Sequence, residues 1–410
     1  VTPSQSPSEA ADQPDRRGAF RLLCASLVCV GLGQSLLFSL LPPLARIMAM
    51  PEWSVGAVFA LSGALWVVMS PFWGRKSDRW GRKRVILMGV TTYGVSTVLF
   101  IAAVEANFAG LISVWTAVLL MMLARGLFGL IGSGSFPSAQ AYIADRTKTA
   151  ERTRHITGIH SAFMIGLVLG PALGGLLVGI SILAPLYVVA VIAFASAIAL
   201  ALYLPERRPP QDRAVMPRLK VSDPRLVPFV IASVAMSTCH ASTMQTIGFF
   251  MIDTLALDPA TAAFHIGISL TAMALATLFV QLVGIRLLDP SPRQLMRWGT
   301  AVALAAFPVL LTTQSEIQTL GGMVLLGAGL GMLRPSIGTA ASLAVKPGEQ
   351  GAAAGLVMGA GSTGHVISSL AIMPFYQFFH MGPYILNGLL MAGLLIYTLT
   401  NRRIRAAVAR

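Results

Sequence analysis

Twelve unbroken apolar runs, each about the 20 residues that a helix needs to cross a bilayer, leave this 410-residue chain little choice of fold. In lipid every backbone N–H and C=O must be bonded within the protein, which restricts spanning structures to helices and closed barrels. Barrel strands would alternate apolar and polar over about ten residues. These runs are continuous and rich in Leu, Ala and Gly. The chain therefore reads as an all-α membrane protein, with helices expected near 20–44, 54–74, 84–104, 112–141, 156–180 and 184–204, then near 226–253, 260–286, 297–313, 318–343, 351–379 and 381–400. Only 11% of residues are charged, too few to cover a water-soluble surface.

The two sets of six helices define expected N-terminal and C-terminal bundles over 20–204 and 226–400, joined by a charged, Pro-containing cytoplasmic linker over 205–225. Residues 1–19 read as a disordered cytoplasmic tail rather than a signal peptide, and 401–410 as a second cytoplasmic tail. A net charge of +14 invites a nucleic-acid reading, but the basic residues lie in loops beside the spans and not on one soluble face. No nucleic-acid partner is expected. Of the 30 Lys and Arg residues, only Arg46 falls in a loop on one side, and Arg125 and Arg334 fall within helices. Retention of positive charge then places both termini in the cytoplasm. Cys24, Cys29 and Cys239 lie inside apolar runs without metal-ligand spacing and read as small core residues; no metal or cofactor is expected.

The halves echo one another. A displacement of 198 residues sets Leu127, Gly129, Pro137, Ser138, Glu151 and Gly166 on Leu325, Gly327, Pro335, Ser336, Glu349 and Gly364. Parallel halves of this kind build alternating access around a central site in many transporters.

The segment after the second span reads GRKSDRWGRKRV, from Gly74 to Val85. A positive-inside loop explains its basic residues but not Gly74, Asp78 and Gly81 at their spacing. This segment resembles the loop signature GxLaDrxGrkxxl of the major facilitator superfamily, and the resemblance covers essentially residues 20–400. It implies twelve transmembrane helices in two pseudo-symmetric six-helix halves. It also implies a latch at the inner gate, in which Gly74 and Gly81 allow close approach and tight turning, Asp78 accepts hydrogen bonds, and Arg79, beside Arg82, exchanges partners with Asp145 in YIADRT.

Three further segments are similar to patterns of the family. In the fourth span, LARGLFGLIGSG is similar to the RxxqG pattern through Arg125 and Gly129, with Phe128 where the family has glutamine. A cation at this depth costs about 2.5–3.5 kcal/mol on insertion scales and should face a cavity and have a partner. In the fifth, GLVLGPALGG resembles the gxxxGPxxGG signature of drug:proton antiporters. Gly166, Gly170 and Gly174 form a smooth face, Pro171 removes a backbone donor and Gly175 completes the pattern. The first span, GLGQSLLFSLLPPLAR, is similar to the family's opening helix, but Gln34 lies in the region where many proton-coupled members carry an acid. Glutamine cannot cycle a proton near neutrality.

A proton carrier must then come from Asp253, Glu105, His160, His240, His265 or His365. Asp253 also reads as a solvated helix-end acid, and His240 and His365 as hydrogen-bonded core histidines. Arg334 is a second cation within a helix and aligns with Phe136; with Arg125 it favours an anionic or zwitterionic substrate. The resemblance implies a monomeric secondary transporter of a bacterial inner membrane, exporting a small amphipathic molecule in exchange for protons. A dedicated exporter of an anionic metabolite such as a siderophore, an uptake symporter and a transport-like sensor are the alternatives. The chain shows no nucleophile elbow or phosphate loop that would suggest an enzyme.

Overall fold

A computed structural model describes residues 7–147, 149–206, 219–288, 290–346, 349–401 and 404. Its twelve apolar helices are α1 (Gly18–Ile47), α2 (Glu52–Trp80), α3 (Arg82–Phe108), α4 (Val114–Ala144), α5 (His155–Val178) and α6 (Ala184–Tyr203), followed by α7 (Val227–Leu255), α8 (Thr261–Leu288), α9 (Pro292–Leu311), α10 (Glu316–Leu343), α11 (Gln350–Phe378) and α12 (Gly382–Thr400). No strand occurs among the described residues. The expected all-α membrane fold is the observed one.

Helix ends depart from the hydropathy reading where charged residues continue a helix that lipid began. The first helix starts at Pro7, so residues 7–19 are helical rather than an unstructured tail. Extending an existing helix avoids the costly first turn. Residues 1–6, most of the linker (207–218) and most of the final tail lie outside the described residues. The twelve-residue signature after α2 is scarcely a loop: α2 runs to Trp80, α3 begins at Arg82, and Gly81 alone joins them. Polar side chains fix other ends. Ser113 accepts from the Thr116 N–H at the start of α4, Ser291 and Gln294 form a capping box before α9, and Ser315 caps α10.

Three helices contain irregular turns. A 3₁₀ turn interrupts α4 at Gly132–Gly134, and wider π turns interrupt α8 at Val280–Gly284 and α11 at Ser368–Ile372. The apolar surface divides as a membrane requires. Phe100, Phe128, Phe229, Phe249, Phe250 and Phe307 are fully buried, while Leu119, Leu176, Val191 and Leu389 remain exposed on helices that lipid surrounds.

Two compact units partition the chain. One comprises Val1–Leu36, Ala64–Gly170 and Leu183–Arg213; the other comprises Leu37–Gly63, Pro171–Ile182 and Ala214–Arg410. Helices α1, α2 and α5 each contribute to both, and α5 passes from the first to the second at the Gly170–Pro171 bond.

Candidate functional site

Twelve consecutive spans place the α2–α3, α4–α5 and α6–α7 connections at one end, rich in Lys and Arg, and the α1–α2, α3–α4 and α5–α6 connections at the opposite, charge-poor end. Each end carries an organised ionic group.

At the basic end, in the first unit, the centre is Arg82. Only 4% of its side chain is exposed. Its guanidinium donates to Asp78, to Ser77 Oγ, to the Gly74 carbonyl at 3.2 Å and to Asp145 Oδ2 at 3.3 Å. A planar fork with five N–H donors can serve four acceptors at once, which an ammonium on a flexible stem cannot do in fixed geometry. Among the described residues Asp145 pairs with Arg82 and not with Arg79. The reason is local: Arg82 opens α3 on the far side of the Gly81 turn and points back beneath the end of α2.

Gly81 makes that turn with φ of 97°, in the left-handed region, and a Cβ there would stand 2.5 Å from Glu206 Oε1. Gly74, by contrast, needs no such freedom. It lies inside α2, where a Cβ would meet only Pro137 at 3.9 Å; its contribution is a carbonyl oxygen. The same end is tied to the chain after α6. Lys83 donates to the Ala201 carbonyl at 2.7 Å, and Tyr142 and Arg146 donate to the Pro205 carbonyl at 2.8 and 2.9 Å.

At the charge-poor end, in the second unit, Arg46 in the last turn of α1 donates to Glu52 Oε1 at 2.6 Å and to both oxygens of Asp253 at 2.8 Å. Tyr376 donates to Asp253 Oδ2 at 2.7 Å, and the Arg46 guanidinium lies 5.2 Å from the centre of the Phe249 ring. Asp253 is therefore no bare solvated acid; with Arg46, which joins it to Glu52, it forms a clasp drawn from α1, α2, α7 and α11. Helix geometry assists, because Arg46 ends α1 and Glu52 begins α2, each matching the local helix dipole. Neighbouring groups pair separately: His265 with Glu316 at 2.6 Å in the same unit, and Tyr187 with Glu105 in the other.

Arg125 on α4 is buried, at 5% exposure. Among the described residues no carboxylate reaches it, and its Nε has no hydrogen-bond partner. Its guanidinium instead lies 5.1 Å from the centre of the Phe128 ring, the side chain that stands where the family has glutamine. Tyr93 packs edge-on against that ring at 4.8 Å. Gly33 on α1 leaves room for the Tyr93 hydroxyl, which lies 1.5 Å from where a Cβ would be. Gln34 is half-buried beside it. Phe136 packs against His160 and Phe163 at 4.9 and 5.3 Å, and His160 shares a 2.6 Å hydrogen bond with Gln140.

Helix α5 uses its small residues in two places. In the first unit, Cβ atoms on Gly166 and Gly170 would each stand 2.2 Å from a backbone carbonyl of α1, at Val28 and Leu32. In the second, Gly267 of α8 would clash with the Pro171 carbonyl at 2.5 Å, and Gly175 would crowd Phe264 at 3.2 Å. Gly174 is buried. The second unit also holds His240 and His365, with ring centres 6.3 Å apart, and Arg334 within charge–charge range of both. Tyr93, Tyr376 and Glu52 were not singled out by sequence, and for Arg82, which was, the sequence did not give its pairing with Asp145; each acts through partners on other helices.

The sequence profile of the Major Facilitator Superfamily matches residues 23–369. The chain belongs to the major facilitator superfamily. Among curated relatives, this major facilitator protein is 24% identical over 343 residues to Multidrug resistance protein 1 of Bacillus subtilis (strain 168), covering 82% of this chain and 84% of that protein. It is 26% identical over 186 residues to Multidrug resistance protein 2 of the same organism, a match spanning 45% of this chain and 42% of that relative's length. The fold is similar to the crystal structure of a bacterial homologue of the human lysosomal transporter Spinster, in an inward-facing and unoccupied conformation. That likeness has a TM-score of 0.70 at 14% identity and covers 97% of this chain and 96% of the other. A major facilitator transporter moves a small molecule across a membrane, and the twelve spans make this one a multi-pass membrane protein.

Proposed function

We propose that this transporter exports a small amphipathic molecule from the bacterial cytoplasm through the inner membrane, as a monomer with both termini cytoplasmic, in exchange for protons. The observation that carries the export reading is the antiporter-type segment of α5. Gly166 and Gly170 seat one stretch of the helix directly on α1, while Pro171 and Gly175 seat the next on α8. Packing of backbone against backbone leaves no room for side chains along this seam, so both contacts depend on the signature itself. The names of the two curated relatives, both multidrug resistance proteins, support the same direction.

The proton is assigned to Asp253. In the closed clasp the carboxylate takes a bidentate pair from Arg46 and a hydrogen bond from Tyr376. A proton arriving at the charge-poor end cancels the charge that holds Arg46, leaving Glu52 as its remaining acid. Proton uptake and loosening of that end thereby become one event, which is the linkage an antiporter requires. Asp78, Arg82 and Asp145 supply the corresponding latch at the basic end, and Arg125 lines the transport route.

Proteoliposomes test this reading. Vesicles that are acidic inside and diluted into alkaline medium should accumulate amphipathic dyes from a panel several-fold above empty liposomes, and nigericin should abolish the excess. Accumulation indifferent to the gradient ends proton coupling; accumulation only when dye and protons move together makes the protein a symporter. Arg125→Ala should abolish transport while leaving membrane insertion intact.

A further inference from the structure

Polar groups on α7 divide by the helix they meet. Ser242 and Thr243 take hydrogen bonds from Asn387 of α12 at 3.1 and 3.3 Å, and Thr246 contacts Tyr384 at 3.4 Å. Gln245 accepts from Ser368 and Ser369 of α11 at 3.3 and 3.1 Å. Among the described residues His240 meets neither helix by a hydrogen bond, and it shares the lack of a partner with Ser233 Oγ and Thr254 Oγ1 on the same helix. Its Nδ1 is buried and has no partner among the described residues. A buried polar nitrogen without a partner costs about 1–3 kcal/mol, so its retention asks for an explanation.

The surroundings are cationic. Helices α7 and α11 approach closely at Gly361 and Gly364, where a Cβ on Gly364 would stand 2.5 Å from the Thr238 N–H nitrogen. That approach brings His365 beside His240. Helix α10 packs on both helices and contributes Arg334. Like His240 and His365, Arg334 is half-buried, and it has no hydrogen bond or ion pair among the described residues. The spans of the second unit offer it no counter-ion. Their described acids are Glu52, Asp253 and Glu316, and each is already engaged, with Arg46 or with His265. Glu316 lies about 27 Å along α10 from Arg334, and Asp253 about 20 Å along α7 from His240, at 1.5 Å per residue.

A guanidinium held within a membrane helix without a protein carboxylate faces the bundle interior or a water-filled cavity and marks a substrate or ion path. We propose that Arg334, His240 and His365 form an anion-recognition site for the transported molecule, with the Arg334 fork on a carboxylate, phosphate or sulfonate and imidazole N–H groups completing its hydrogen bonds. The π turn begins three residues after His365 and widens α11 next to this group, a distortion frequent at functional sites. The proposal rests on the transport reading but not on its direction. It makes the cargo an amphipathic anion rather than the lipophilic cation that a multidrug name suggests.

Calorimetric titration of the purified full chain in neutral detergent tests it, with 1-naphthoate and its uncharged isostere 1-naphthamide as probes. Naphthoate should bind at least tenfold more tightly than the amide. Arg334→Gln should erase that preference, Arg334→Lys should retain part of it because charge remains without the fork, and the amide's affinity should stay unchanged. If Arg334→Gln does not remain monodisperse, His240→Gln with His365→Gln gives the same reading as a several-fold loss for naphthoate alone. A phosphatidylglycerol arm separates sources: displacement of naphthoate by this lipid in the native chain assigns the anion site to a lipid headgroup as well, and no displacement assigns it to soluble anions. Equal affinity for naphthoate and naphthamide, or a preference that survives Arg334→Gln, overturns the proposal. Because no gradient is imposed, failure here leaves the export reading standing, and failure of dye accumulation leaves this site standing.

Discussion

Arg82 at the basic end and Arg46 at the charge-poor end are each held by two carboxylates, yet their settings differ. Arg82 is 4% exposed and takes all its acceptors from α2 and the end of α4. Arg46 is 28% exposed, with Asp253 at 29%, and reaches a partner 207 residues away. Exposed ion pairs contribute about 0–1 kcal/mol, whereas breaking a buried pair from one side costs about 3–5 kcal/mol. The same chemistry thus gives a rigid fixture at one end and a readily opened clasp at the other.

The largest effect is expected where the comparison is sharpest. Arg82→Ala leaves Asp78 and Asp145 facing one another without their shared donor. It should lower the thermal midpoint in detergent and cut proteoliposome transport at least tenfold, with the cost held below that of a fully buried pair because Asp78 is 37% exposed. A variant that transports normally would place the fixture elsewhere. Gly81→Ala forces a side chain into left-handed backbone beside Glu206 and should cost about 1–3 kcal/mol, read in the same melting experiment.

At the other end, Asp253→Asn should leave the fold intact. It should also raise several-fold the rate at which an impermeant maleimide labels a cysteine placed at the buried Val58. A double-mutant cycle with Arg46→Ala should give about 1 kcal/mol of coupling. Labelling that does not change breaks the reading of this group as a clasp.

The smallest effect is a pH response outside the membrane. Arg225 bonds Asp223 at 2.8 Å and Glu349 at 2.9 Å, and these hydrogen bonds hold both carboxyls below their ordinary range and Arg225 above its own. Folded-state values that are depressed give a contribution fully present above the ordinary carboxylate range and lost as pH falls through the depressed values. The small difference in melting temperature between the native chain and Arg225→Gln should therefore persist from neutrality down to that range, shrink as pH falls through it and close in stronger acid.

The fold was legible because lipid imposes a requirement that each span meets alone: enough apolar residues in a row. Helix ends were less so, since hydropathy registers the edge of the lipid and not the end of backbone hydrogen bonding; hence α2 continues through Arg75 and Asp78. The basic-end group was legible in composition through a local signature, but its pairing was not, because which of Arg79 and Arg82 meets Asp145 depends on the turn at Gly81. The clasp left almost no trace. Arg46 stood out as an isolated base, but Glu52 and Tyr376 carry no local pattern, and the meeting of Arg46 and Tyr376 at Asp253 is a product of tertiary packing over 123 residues or more.

The π turn at Ser368–Ile372 separates His365 from Tyr376 on one helix. An i→i+5 turn holds one residue more than an α turn, so everything after it is rotated by about 100° from where an unbroken α-helix would carry it. Closing the turn to α geometry without removing a residue would leave the histidine in place and swing the tyrosine away from Asp253, whereas deleting one residue within the turn would keep both in phase. The phase of α11 is thus a heritable setting, and a one-residue gap at this turn marks a relative in which an unbroken helix keeps both ends in the same company.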